Sequence, residues 1–125
     1  MKQSAVVWIR EDLRIEDNPA LSYATNNHEI VSALYIYNPT IFDKKREAQK
    51  WWLSKSLESF KNELSNFKIN LEILSGNEKE IFNKLNPEKN LSIYWNKVYE
   101  PEQRKIEKKL IEKLMKEKIN YKFFK

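Results

Sequence analysis

Residues 6–21 of the chain read VVWIREDLRIEDNPAL, an apolar run that turns abruptly into a charged one. The apolar residues 5–9 predict a strand buried on both faces, as in a parallel sheet covered by helices. Asp17 or Asn18 can accept hydrogen bonds from the first turn of a following helix, and Pro19 suits the first helical position. The segment therefore predicts a strand, a charged loop at the carboxyl edge of a sheet, and a capped helix.

The rest of the chain repeats this alternation of strand and helix. The predicted strands cover residues 5–9, 30–37, 69–74, 91–95 and 119–124, and the predicted helices 20–27, 47–67, 78–85 and 102–118. Strict alternation indicates a Rossmann-like, three-layer α/β/α fold with a five-stranded parallel sheet. With the strand order 3-2-1-4-5, a crevice opens between strands one and four, where the order reverses. We expect Arg10 and Asn96 on adjacent strand ends beside it.

Two predicted helices carry apolar faces that indicate packing against the sheet. The long helix has a stripe of Leu53, Leu57, Phe60, Leu64 and Phe67, and the last helix one of Ile106, Leu110, Ile111, Leu114 and Met115. Lysines and glutamates are expected to cover the rest of the last helix. Trp51 and Trp52 are adjacent and thus about 100° apart around the helix, so one is expected to face the sheet and the other a loop or cleft. Core packing is the default for both, with ligand stacking as the alternative.

Composition excludes several classes of function. The 125 residues are 41% hydrophobic, enough for one folded domain, and no apolar run approaches the roughly 20 residues of a membrane span. The absence of cysteine excludes disulfides and thiolate sites, and a single histidine, His28, excludes a histidine-rich metal site. His28 is expected to be exposed in a turn. The single glycine, Gly76, excludes a glycine-rich phosphate loop. We expect no catalytic or metal-binding residues, and a cytoplasmic location.

The positive charge is concentrated at the carboxyl end. The net charge is +5, and residues 97–125 hold ten Lys or Arg against five Asp or Glu. Such a patch suits nucleic acid, although a solvated helix face is the simpler interpretation. The acidic pairs Glu11/Asp12 and Glu16/Asp17 are expected to pair with Arg10 and Arg14 and to cap the helix rather than to perform acid–base chemistry.

Two stretches resemble a known family. The pattern Arg10-x-Asp12-Leu13-Arg14-x-x-Asp17-Asn18-x-Ala20-Leu21 is similar to the amino-terminal signature of the DNA photolyase/cryptochrome family. Tyr94-Trp95-Asn96-x-x-Tyr99-Glu100-Pro101-x-x-Arg104 resembles a later motif of the same domain. The resemblance covers essentially the whole chain, residues 1–125, but only the first domain of such a protein.

The resemblance implies a role in light harvesting. In this family the α/β domain holds or borders an antenna chromophore, which is a folate, a deazaflavin or a flavin. The catalytic FAD and the damaged-DNA site belong to a helical domain that would follow in sequence. The whole flavoprotein would be a carbon–carbon lyase, splitting pyrimidine dimers by light-driven electron transfer from FAD. This chain alone is predicted to be inactive, with the helical domain, damaged DNA through the parent protein, and further copies of itself as partners; no membrane partner is expected.

The resemblance also implies which residues border the chromophore. The corresponding positions are Tyr35, Ile36, Tyr37, Asn38, Gln49, Trp52, Asn96, Val98, Glu102 and Gln103. Val98, Gln49 and Gln103 replace charged residues of deazaflavin-type or folate-type members, so weak or absent chromophore binding and a colourless protein are expected. The aromatic side chains expected at the crevice are Trp8, Tyr35, Tyr37, Trp52, Trp95 and Tyr99.

An alternative from another class remains. A small stand-alone α/β domain that binds a nucleotide or a protein, without photochemistry, would share this layout. A reading frame that continues for about two more domains' worth of residues supports the photolyase-like interpretation, and a stop at Lys125 supports the alternative.

Overall fold

Strands and helices alternate along the chain in the computed structural model, which describes residues 4–10, 13, 15–37, 46–76, 91–98, 101–116 and 119–124. The elements are β1 (Ser4–Ile9), α1 (Pro19–Asn27), β2 (Ile30–Tyr37), α2 (Glu47–Ser65), β3 (Asn70–Ser75), β4 (Leu91–Asn96), α3 (Pro101–Lys116) and β5 (Asn120–Phe124). Each agrees with its predicted element to within two residues at either end. The helix predicted at 78–85 lies outside the described residues.

The five described strands form one parallel sheet in the order β3-β2-β1-β4-β5, which confirms the predicted fold class and order. β1 pairs with β2 on one side and with β4 on the other, so the order reverses between β1 and β4. Trp8, near the end of β1, pairs with Trp95 on β4. The switch point therefore lies where the sequence predicts it.

Helices cover both faces of the sheet and bury a core on each. The α1/α2 core contains Ala5, Val7, Ile9, Ala20, Leu21, Ala24, Val31, Ala33, Phe60, Leu64, Ile69, Leu71 and Tyr94. The α3 core contains Trp8, Leu34, Ile36, Ile93, Trp95, Leu110, Leu114 and Ile119. Successive side chains of a strand point to opposite faces, so β1 contributes to both cores and is buried on both, as predicted.

The predicted apolar helix faces are correct at their centres and wrong at their ends. Phe60 and Leu64 are buried on α2, but Phe67 is 63% exposed. α2 ends at Ser65, and residues 66–68 form a turn, so helical spacing no longer directs Phe67 inward. On α3, Leu114 is buried whereas Met115 is 64% exposed, because the next residue lies about 100° further around the helix.

His28 is half-buried, and the expectation of an exposed histidine was wrong. Its backbone N–H donates to Ala24 at the end of α1, and its Nε2 lies 2.7 Å from the hydroxyl oxygen of Tyr94. Tyr94 points from β4 into the α1/α2 core, so the histidine ring lies against a buried side chain. Burial raises the pKa of the Tyr94 hydroxyl above its ordinary value, a hydrogen bond with Ser92 lowers it in part, and Tyr23 raises it.

Within the part of the chain that the structure describes, no helix combines the length and apolar character needed to cross a membrane. The same residues contain no group of three or more side chains suited to holding a metal ion.

Candidate functional site

The ends of β1 and β4 meet at the carboxyl edge of the sheet. Arg10 follows β1, and Asn96 is the last residue of β4. Arg10 Nη2 donates a hydrogen bond of 2.6 Å to the backbone oxygen of Asn96, although 86 residues separate the two. This contact confirms that the two motif stretches come together at the switch point.

The side chain of Asn96 is tied to the start of α1. Its Oδ1 accepts from the backbone N–H of Ala20 at 3.0 Å, and its Nδ2 donates to Asn18 Oδ1 at 2.6 Å. Asn18 Oδ1 also accepts from the N–H of Leu21 at 3.1 Å, which confirms Asn18 as the cap, with Pro19 in the first turn. The Asn96 amide therefore uses both its oxygen and its nitrogen to position the helix that follows the first motif.

Arg10 also contacts α3, which covers the face of the sheet opposite α1. Its guanidinium lies 4.3 Å from the centre of the Trp8 ring, a cation–π arrangement, and its Nη1 lies 3.9 Å from Glu107 Oε2. Glu107 Oε1 accepts a 2.6 Å hydrogen bond from Trp95 Nε1. One carboxylate beside Arg10 is thus on α3, far along the chain from the acidic residues expected to pair with it.

The structure describes the acidic residues expected to pair with Arg10 only in part. Glu16 and Asp17 are exposed, while Glu11, Asp12 and Arg14 lie outside the described residues. The described contacts of Arg10 couple β1, β4 and α3, and its pairing with the nearby acidic residues stays a prediction.

Glu107 is the functional residue that the sequence interpretation missed. It is only 4% exposed, whereas the glutamates of this helix were expected on its surface. A signal was present, since Glu107 precedes Leu110 by three residues and Leu114 by seven, which places all three on one face of a helix. A buried carboxylate is favourable only with partners, and Trp95 and Arg10 supply them.

Trp8 and Trp95 do not line the crevice, and this expectation was wrong. They are 1% and 0% exposed and meet edge to face, with ring centres 6.0 Å apart. Trp95 also stacks on Tyr121 and Phe123 of β5, at 5.8 and 5.9 Å. Strand alternation directs both indoles toward α3, which covers them, so neither ring face is accessible to a ligand.

Trp51 and Trp52 are both exposed, by 65% and 62%, so the expectation that one packs against the sheet was also wrong. α2 is anchored by Phe60 and Leu64, further along the helix. At about 100° per residue, Trp51 lies on the side opposite Phe60, and Trp52 lies about 80° from it. Two adjacent indoles thus stand in solvent near the beginning of α2.

The end of β2 divides the predicted chromophore residues between the two faces. Tyr35 and Tyr37 are half-buried and alternate toward the α1/α2 side, where Tyr35 packs against that core. Ile36 is buried at 8% exposure in the α3 core. Gln49 is exposed, and its Oε1 accepts from the N–H of Arg46 at 3.1 Å, closing the start of α2.

The remaining predicted residues are described in part. Val98 is half-buried after β4. Glu102 and Gln103 belong to the first turn of α3, and their side chains lie outside the described part, as do Asn38 and Tyr99. Three aromatic residues of the predicted site therefore lie on the α1/α2 side of the sheet, namely Tyr35, Tyr37 and Trp52.

Comparison with known proteins yields one family. The model described as DNA photolyase matches residues 5–125. A deoxyribodipyrimidine photo-lyase of Agrobacterium fabrum is 33% identical over 110 residues, covering 87% of this chain and 23% of the relative.

Two solved structures share the fold. A bacterial class III photolyase from Agrobacterium tumefaciens superposes with a TM-score of 0.86 at 29% identity, covering 99% of this chain and 26% of its own. An archaeal photolyase from Sulfolobus tokodaii, solved with two FAD molecules, gives a TM-score of 0.84 at 25% identity over 98% of this chain and 29% of its own. The chain thus spans about a quarter of the length of these relatives.

Proposed function

The chain belongs to the DNA photolyase family, and we propose that residues 1–125 act as the amino-terminal, chromophore-bearing domain of a protein that repairs pyrimidine dimers in DNA with light. The family match over residues 5–125 and the agreement in fold with two photolyases support this proposal. The activity itself would require a helical domain carrying FAD and the damaged-DNA site, which this domain supplies with excitation energy.

The observation that carries the proposal is the 62% exposure of the Trp52 indole near the start of α2, the helix that follows β2, whereas Trp51 lies on the side of α2 opposite Phe60. Burial of indole surface is favourable, and a flat conjugated ring offers the matching partner by stacking. Tyr35 and Tyr37 are half-buried at the end of β2 and add aromatic surface on the side of the sheet that α2 covers. These residues fit a planar chromophore, which when bound would absorb light and pass its excitation on.

The chemical class of the chromophore is a flavin, a deazaflavin or a folate. The archaeal relative with two FAD molecules is described as implying a novel light-harvesting cofactor, which supports including a flavin. Gln49 is uncharged and engaged with Arg46, and Val98 is apolar, so neither supplies a charge to orient a polar ring. A lost charge-assisted hydrogen bond costs a few kcal/mol, which lowers affinity by tens-fold or more. We therefore expect binding weaker than about 1 μM, on the usual relation of affinity to free energy.

The test is a titration of the chain with FAD, a deazaflavin and a reduced folate, followed by absorbance and tryptophan fluorescence. We expect saturable quenching by at least one of them, lost in Trp52→Ala and retained in the matched variant Trp51→Ala. Both variants should keep the melting temperature of the parent chain, because exposed side chains contribute little to stability.

Three results would contradict the proposal: no saturable binding of any of the three ligands, equal loss in the two variants, or full retention in Trp52→Ala. Submicromolar binding that depends on Trp52 would support the site but overturn the effect assigned to Gln49 and Val98.

A further inference from the structure

The outer face of α3 is a nearly uniform cationic surface. Its exposed basic side chains are Arg104, Lys105, Lys108, Lys109 and Lys116. Among the α3 side chains that the structure describes, Glu112 is the one exposed acid and Met115 the one large exposed apolar residue. The other described carboxylate of α3, Glu107, points inward, where Trp95 and Arg10 engage it. Its negative charge therefore does not offset the charge of the outer face.

α2 provides an internal comparison that separates this pattern from a general richness in lysine. The sequence of α2 has three lysines and three glutamates, whereas that of α3 has six Lys or Arg and three Glu. The exposed charges of α2 are slightly negative in sum, with Lys55 and Lys61 against Glu47, Glu58 and Glu63. A lysine-rich composition would enrich both helices alike, so the charge of α3 is a local property of that face.

The spacing of the α3 cations suits a regular array of phosphates. Arg104 and Lys108 are four residues apart, as are Lys105 and Lys109, so the pairs form two neighbouring rows along the helix. From Arg104 to Lys116 the face is about 18 Å long at about 1.5 Å per residue. A duplex carries one phosphate charge per about 1.7 Å of axis over its two strands. A straight helix cannot follow one winding strand over this length, so we assign the face about four phosphates on the facing side of the duplex.

We propose that this α3 face docks on the phosphate backbone of a nucleic acid duplex, independently of base sequence. Lysine acts as a point charge toward phosphate, and contacts of this kind position a protein without reading bases. The inference rests on charge and spacing alone and does not depend on the chromophore proposal. The surface lies on the α3 side of the sheet, opposite Trp52, so the two ligands would not compete for the same side chains.

Other polyanionic partners fit this face less well. A helix that binds a membrane surface inserts an apolar face, but the apolar residues Leu110 and Leu114 are buried against the sheet. The centre of an interface with a folded protein is apolar or aromatic and depleted of lysine, whereas here only Met115 offers such a contact. Interfaces with DNA are instead polar and strongly positive.

The test measures binding of the whole chain to a fluorescent, undamaged duplex of about 20 base pairs, by anisotropy at several salt concentrations. With about four phosphate contacts, the affinity should fall about a hundredfold between 50 and 200 mM salt, since the slope of log K against log salt is about −0.9 per contact. Lys105→Gln/Lys109→Gln should reduce that slope by about two units and weaken binding.

Matched variants distinguish an effect of the α3 face from an effect of the net charge of the chain. Lys55→Gln/Lys61→Gln removes the same charge from α2 and should leave the slope unchanged, whereas Glu112→Gln should strengthen binding by removing the exposed acid. Glutamine has a helix propensity close to that of lysine, and Lys108→Gln/Lys116→Gln provides a second loss-of-charge variant should the first one fold poorly.

Three results would overturn the proposal. The first is no measurable binding to the duplex at 50 mM salt. The second is an equal loss in the α2 and α3 double variants, which would mean that net charge alone decides. The third is capture of the chain by vesicles of phosphatidylserine and phosphatidylcholine through the α3 lysines, without binding to the duplex.

Discussion

α2 and α3 cover opposite faces of the same sheet, yet they present different chemistry to solvent. α2 exposes two adjacent indoles, Trp51 and Trp52, among charges of both signs, whereas the described α3 side chains expose a row of lysines and arginine with little apolar surface. Their inner faces are alike in that both bury apolar side chains against the strands. The inner faces follow from the fold, and both proposed ligand surfaces lie on the outer faces.

α2 and α3 also differ in the contacts that hold them against the sheet. The substitution with the largest expected effect on stability tests this difference. α3 is held by a buried polar contact as well as by leucines, so Glu107→Ala should lower the free energy of unfolding by about 3 kcal/mol. The substitution removes the acceptor of Trp95 Nε1 and the carboxylate beside Arg10. Urea denaturation measures this, with the exposed Glu112→Ala as control, expected within about 0.5 kcal/mol of the parent chain. Equal effects of the two substitutions would remove the distinction between the helices.

A smaller effect distinguishes the starts of α1 and α2. Asn18 is buried and connects the first turn of α1 to Asn96, whereas Gln49 closes the start of α2 in solvent. Asn18→Ala should cost about 1 kcal/mol of stability, the usual value for a lost helix cap, and Gln49→Ala should cost less. Thermal unfolding of the two variants side by side measures the difference. A larger loss for Gln49→Ala would show that α2, rather than the contact between the two motifs, limits the stability of this edge.

Sequence patterns predicted the architecture because burial follows periodicity. The apolar runs of β1, β2 and β4 and the four-residue and three-residue spacings of α2 and α3 are local properties, so the elements followed from them. The strand order was taken from the doubly wound fold class, and the sheet has that order. The errors at polar side chains occur where partners lie far away in sequence. His28 is drawn inward by Tyr94, and Glu107 by Trp95. Pairing of this kind is decided by tertiary contacts that no local pattern contains.

The candidate site was predicted in part for the same reason. Topology alone brings Arg10 to Asn96, and their contact confirms it. Which aromatic rings are accessible depends on which face each strand residue occupies and on what covers that face. Trp8 and Trp95 are covered by α3, whereas Trp52 stays in solvent because α2 packs through Phe60 and Leu64 further along.

The most direct measurement is a crossed titration of two variants, each with the flavin and with the undamaged duplex. The account predicts that Trp52→Ala loses the flavin and keeps the duplex, and that Lys105→Gln/Lys109→Gln weakens the duplex and keeps the flavin. Both substitutions are at exposed positions, so melting temperatures should agree with that of the parent chain. Loss of both ligands in either variant, with the fold intact, would contradict the assignment of two separate surfaces to the two helices.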